Sequence, residues 1–192
     1  MARPRSESAR QKVLDAALEV IAEDGVGGFT VDAVAKRSGV AKTTIYRHFD
    51  SGNRLLLEAI TCVIEPFPTP NTGSLRSDLI ELYSSFLPVM EDPSTFRMML
   101  GMLARSAADE SFRKLKNELM NERHHPLKTC LELAQARGEL PSDLDLDFAL
   151  DILEGPFASK RLMRGEPITA ELVPRYVDAA LFGLQGTAPK SE

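Results

Sequence analysis

Three observations in the sequence predict an all-α protein. Apolar residues recur at helical spacing along most of the 192 residues, and no convincing period-2 stretch suggests a strand. One segment, Thr30–Phe49 (TVDAVAKRSGVAKTTIYRHF), reads as two short helices about a tight glycine turn, a helix-turn-helix. About nine helices are expected in all.

A first helix is expected from about Ser6 to Asp24, with Leu14, Ala17, Leu18 and Ile21 as its apolar stripe and Gly25 as its end. Arg3, Arg5, Arg10 and Lys12 give it a basic lead. Thr30 stands where the second helix needs an N-cap, and Asp32 suits the positive end of that helix. Val31, Val34, Ala35 and Ser38 fall on one inward strip, and Gly39 can take the left-handed conformation that ends the helix. Val40, Ile45 and Phe49 pack the third helix back on the second, which leaves Lys42 with Tyr46 and Thr43 with Arg47 outward as two i, i+4 pairs. His48 lies at the edge of that face. Ser51 caps a fourth helix through Leu55, Leu56, Ala59, Ile60 and Val63.

The outward face has the chemistry of a major-groove reader. Lysine neutralises phosphate or donates to guanine, threonine bonds a base or touches a thymine methyl, and a tyrosine hydroxyl donates to phosphate oxygen. Thr44 stays open between packing and phosphate contact. A plain solvated face is the competing reading, because short helices carrying Lys, Thr and Arg outside are common.

The run GVGGFTVDAVAKRSGVAKTTIYRHF between two helices, with Thr44-Ile45-Tyr46-Arg47-His48-Phe49 at its end, closely resembles the N-terminal domain of the tetracycline-repressor (TetR) family over about residues 8 to 60. The resemblance implies phosphate contacts at Thr30, Tyr46 and His48 and base reading at Lys42 and Thr43. It also implies a homodimer on a double-stranded DNA operator. Where family members carry a phosphate-grasping lysine at the start of the fourth helix, this chain has Gly52, followed by Asn53 and Arg54. Arg54 or the backbone amides there are the alternatives for that contact.

The net charge of −5 argues against a protein that coats nucleic acid everywhere, but the charge is unevenly spread. Residues 1–55 carry nine Lys/Arg against seven Asp/Glu, whereas 56–192 carry fourteen against twenty-one. Positive charge is kept where phosphate would be met, and the acidic remainder helps to aim the molecule. Two cysteines, Cys62 and Cys130, are too few for a disulfide framework and read as buried thiols in a reducing compartment. No apolar run is long enough for a membrane span, and the basic N-terminus lacks the apolar core of a signal peptide. A cytoplasmic protein with no membrane partner is expected.

A division is therefore expected into residues 1–55, the DNA-binding domain, and 56–192, a helical ligand-binding and dimerisation domain. Glu65–Gly73, with three prolines and a glycine, is the linker candidate. Helices follow at about Ser74–Met90 and Pro93–Ala107. A third begins near Asp109 and runs towards Arg137, and Pro126 must kink or split it. Phe86, Met90, Phe96, Met99, Met102, Leu103 and Met120 are candidates for an adaptable small-molecule pocket, though methionines at helical spacing are more often plain core. In the last two helices, Ile152, Leu153 and Phe157 and then Val173, Val177, Ala180, Leu181 and Leu184 form apolar stripes. Ala179 and Phe182 lie off the second stripe. Such a terminal helix is either inserted in its own domain or paired with a copy of itself, and the resemblance favours pairing. The stretch ARGELPSDLDLDFALDILEGPF, from Ala136 to Phe157, resembles a C-terminal domain found among TetR members of actinobacterial type.

Adjacent His124 and His125 point apart around a helix, so no metal site is expected. The acidic run Asp143–Asp147 lacks the spacing of a calcium loop and reads as a cap and first turn. No nucleophile elbow, phosphate loop, HExxH or dinucleotide fingerprint occurs, so neither an enzyme nor a cofactor is proposed. The expectation is a DNA-binding transcriptional regulator answering to an unknown small-molecule effector, most simply a repressor. The alternative is a dimeric helical protein-interaction module that binds no DNA.

Overall fold

The computed structural model describes residues 3–63, 68–123 and 125–185, with side chains for 7–62, 68–118 and 126–184. Among the described residues the regular structure is entirely helical: α1 (Arg3–Gly28), α2 (Val31–Ser38), α3 (Lys42–His48), α4 (Gly52–Val63), α5 (Leu75–Glu91), α6 (Pro93–Ala108), α7 (Glu110–Arg123), α8 (His125–Ala136), α9 (Leu146–Ala158) and α10 (Leu172–Gln185), with a π-helical turn at Ser159–Met163. Helices α7 and α8 lie on either side of residue 124, and Pro126 stands in the first turn of α8 as bounded here, where a missing N–H breaks no helical bond. The expected linker residues Glu65, Pro66 and Phe67, the residue His124, and the side chains of Arg3, Arg5, Met120 and His125 lie outside the described residues.

The chain parts into two compact units that are not consecutive in sequence. One comprises Met1–Glu65 and Pro93–Asn121, the other Pro66–Asp92 and Glu122–Glu192. The expected boundary after residue 55 falls inside α4, whose Leu55, Leu56, Leu57, Ala59 and Ile60 are all fully buried in the first unit. That core also takes Met102 from α6 and Phe112 from α7. Helix α6 lies close against α1, because Gly101 has no side chain and an added Cβ would stand 2.8 Å from Val26 Cβ.

The second unit packs α5, α8, α9 and α10 about Leu79, Leu82, Leu131, Leu153 and Val177. Its polar centre is Asp78, fully buried, which accepts from Thr72 N (2.6 Å), Thr72 Oγ1 (2.7 Å) and Arg137 Nη2 (3.1 Å). Arg137 also grips Glu139 at 2.5 Å, and the other oxygen of Glu139 accepts from Leu75 N at the start of α5 (2.8 Å). This accounts for the Arg137-Gly138-Glu139 motif physically: Gly138 takes a φ of 75° so that both side chains turn back on α5. The acidic run 143–147 proves to contain a helix cap, with Asp145 Oδ1 accepting from Asp147 N and Phe148 N.

Candidate nucleic-acid interface

Local capping chemistry fixes the frame of α2 and α3. Thr30 is extended and its Oγ1 accepts from Ala33 N (3.1 Å), while Gly39 at φ 68° turns the chain and donates its N–H to Ala35 O (3.0 Å). Val34, Ile45 and Phe49 are buried beneath, at 1% exposure or less, so the rotation of α3 about its axis is set by packing. Arg37 braces α2 to α1 through Glu23 (2.5 Å), and this bond holds the Glu23 carboxyl below the usual carboxylate range.

With α3 so fixed, Lys42, Thr43, Tyr46 and Arg47 are all exposed, and Tyr46 leaves half of its surface to solvent. Thr44 is half-buried. Lys42 forms an ion pair with Asp32 of α2, so in the free protein its ammonium is held at the edge of the face. His48 is half-buried, and its Nε2 is enclosed with no hydrogen-bond partner.

Arg10, expected in the basic lead of the first helix, lies within α1, bonds Glu58 of α4 at 2.5 Å and covers the Phe49 ring with its guanidinium 5.3 Å from the centroid. Arg54 likewise turns onto Glu58, at 2.6 Å. Gly52 at the start of α4 lies close to α2, and an added Cβ would stand 3.0 Å from Val31 Cγ2.

Sequence reasoning passed over Arg105 and the bonds by which it and Asn53 tie α4 to α6 within the first unit. Arg105 of α6 donates to Val26 O (3.3 Å) and Asn53 Oδ1 (2.8 Å), and its guanidinium sits 5.3 Å over the Phe112 ring. Asn53 Nδ2 donates to Asp109 Oδ2 (3.0 Å) and Ser111 Oγ (3.2 Å). The Asn53 bond first, then those from Ser111 and Phe112 N–H, pushes the Asp109 carboxyl far below its ordinary value. The only signal in sequence was a glycine where a side chain was expected.

The residues expected to line one small-molecule pocket divide between the units. Phe86 and Met90 are half-buried in the second, whereas Phe96 and Met99 are half-buried in the first, Met102 is in the first core and Leu103 is exposed. The stripe expected to pair with a second copy needs correcting. Leu153, Phe157, Val173, Val177, Ala180, Leu181 and Leu184 are buried within their own unit, and of that set Ile152 alone is exposed. The apolar residues that α9 and α10 turn outward are Phe148, Ile152, Ala179 and Phe182, the last 82% exposed, with open space above Gly155 and Gly183. Among the described residues no cluster of His, Cys, Asp or Glu could hold a metal ion, and no helix is long and apolar enough to cross a membrane.

Comparison with known proteins gives two family matches. Residues 13–59 match the bacterial regulatory proteins of the tetR family, and residues 69–180 match the tetracyclin repressor-like C-terminal domain. An uncharacterised HTH-type transcriptional regulator of Mycobacterium tuberculosis is 31% identical over 89% of this chain and 85% of its own. A DNA-binding transcriptional repressor, TetR, of Mycobacteroides abscessus is 29% identical over 94% and 95% of the two chains. The crystal structure of a TetR family transcription regulator superposes with a TM-score of 0.71 at 26% identity, covering 92% of this chain and 98% of that one.

Proposed function

The chain belongs to the tetR family of bacterial regulatory proteins and is a helix-turn-helix transcriptional regulator, and from that premise we propose that it acts as a homodimeric, effector-released repressor. Two reading heads enter successive major grooves of a pseudo-palindrome, with centres about 34–36 Å or a multiple apart. Lys42 and Thr43 read base edges, while Thr30, Tyr46 and Arg47 hold the backbone. The observation that carries this reading is the exposed quartet on α3, set on a buried Ile45–Phe49 footing.

Support for pairing comes from the outward Phe148, Ile152 and Phe182, and from Gly155 and Gly183 on the same helices, whose open surroundings leave room for a second helix pair to approach. The self-contact is thus assigned to the outer face of α9 and α10 and not to their buried stripe. A small molecule held by the second unit, with Phe86 and Met90 among its contacts, releases DNA only if it prefers the arrangement whose heads are wrongly spaced. The site of action is the cytoplasm, where the DNA lies.

The test begins with selection of bound fragments from random DNA, which yields operator, symmetry and half-site spacing together. Tyr46→Ala then weakens binding to operator and random duplex alike, because a phosphate contact carries no sequence information. Wild-type protein that binds no duplex at any salt concentration refutes the function, and a Tyr46→Ala protein that binds as tightly as wild type refutes that role.

A further inference from the structure

The crowding of Gly52 against Val31 brings the first residues of α2 and α4 together, and beside them opens a cleft of about 220 Å³. Thr30, Ser51, Asn53 and Arg105 line it with Gly52 and Val31, and no acidic side chain does. Each polar group there is already oriented. Thr30 Oγ1 accepts from Ala33 N and Ser51 Oγ accepts from Arg54 N (3.0 Å), so both hydroxyls keep a proton to donate. Asn53 has committed its amide hydrogens to Asp109 and Ser111, which turns its oxygen to Arg105. Arg105 spends two of its five N–H groups on Val26 O and Asn53 Oδ1 and rests on the Phe112 ring. Its position is therefore set before any ligand arrives, which spares the ordering cost of a long side chain.

Donors from two hydroxyls and a fixed guanidinium, with no carboxylate among them, make a receptor for a tetrahedral oxyanion. Thr30 is also the cap of α2, the helix on which the reading helix packs. We propose that this cleft seats a phosphate of the DNA backbone and that Arg105, delivered by α6 from outside the helix-turn-helix, supplies its positive charge. The inference rests on the DNA-binding reading above.

The test is anisotropy titration of the full-length protein against operator and random duplex over a range of salt concentrations. Arg105→Gln is expected to reduce the slope of log K against log salt by about 0.9 per head, and to weaken both duplexes by the same factor. Arg105→Lys keeps most of the slope. Ser51→Asp serves as the second variant, because aspartate still caps α4 while its charge enters the cleft. It is expected to cost roughly tenfold or more on both duplexes through like-charge repulsion. Thermal shift with inorganic phosphate alone separates the sources of the anion.

An Arg105→Gln protein with the wild-type salt slope, even if its affinity falls, overturns the proposal and leaves Arg105 as a brace for Asn53. Stabilisation by inorganic phosphate that depends on Arg105 while the slope does not change also overturns it, in favour of a free-anion site. Wild-type protein with no duplex affinity defeats the function beneath it. An unchanged slope in a variant of a protein that does bind DNA defeats this inference alone.

Discussion

Replacing Arg137 by methionine is expected to cost the second unit about 3 kcal/mol. The side chain of Asp78 is completely enclosed and takes three bonds, of which only the one from Arg137 brings a compensating charge. Methionine keeps the apolar stem but leaves the carboxylate with the two Thr72 donors, and removing one partner of a buried pair typically costs about 3–5 kcal/mol. The low end applies because Arg137 is itself a quarter exposed, so water can reach the vacated side. Asp78→Asn removes the charge and keeps the Thr72 bonds to its oxygen, which puts its own cost nearer about 1–2 kcal/mol. The double variant should then lose less than the two single costs together by about 1–2 kcal/mol, since no uncompensated charge remains. Urea titration of all four proteins, followed by far-UV circular dichroism, gives the cycle. Additive costs, or an Arg137→Met protein within about 0.5 kcal/mol of wild type, would show that the network is ornamental and the reasoning wrong.

Three further outcomes are expected. Phe182→Glu sediments as a monomer at concentrations where wild type is a dimer; a dimer that tolerates the charge means that α10 does not meet its copy there. Tyr83→Phe melts higher than wild type by the equivalent of about 1 kcal/mol, because the hydroxyl is buried without a partner while the ring stacks on Phe157 at 4.5 Å. A lower melting temperature would reveal a partner for that hydroxyl. Asp109 is held below its unfolded pKa, so its contribution is present above about pH 4 and lost as pH falls through the folded value. Melting of wild type and Asp109→Asn should therefore converge on acidification below about pH 4, and a gap that persists at the acid end would contradict the assignment.

The reading head was legible in sequence because its signals are local. A capping threonine, a left-handed glycine and the spacing of Val34, Ile45 and Phe49 act over a turn or two, and each does in the structure what its chemistry suggested. What failed to show was anything that depends on which surface an apolar stripe meets. Val173, Val177 and Leu184 have the periodicity of a buried face, but periodicity does not say whether the covering surface is the same chain or another. Met102 was plausible as an adaptable liner for the same reason, and it is core. Arg105 and Asn53 are 52 residues apart, so their bond leaves no trace in local spacing. His48 was assigned by resemblance, which transfers a residue type but not the burial of its Nε2.

The first unit is assembled from two stretches separated by α5. During synthesis, α1 to α4 emerge before the residues that cover Val26 and supply Phe112 to their core. A nascent chain cut short near residue 65 would thus carry the reading face on an incomplete footing. For the same reason, transplanting residues 1–55 onto another body would leave behind part of what that footing is made of, and a working graft must bring Pro93–Asn121 along.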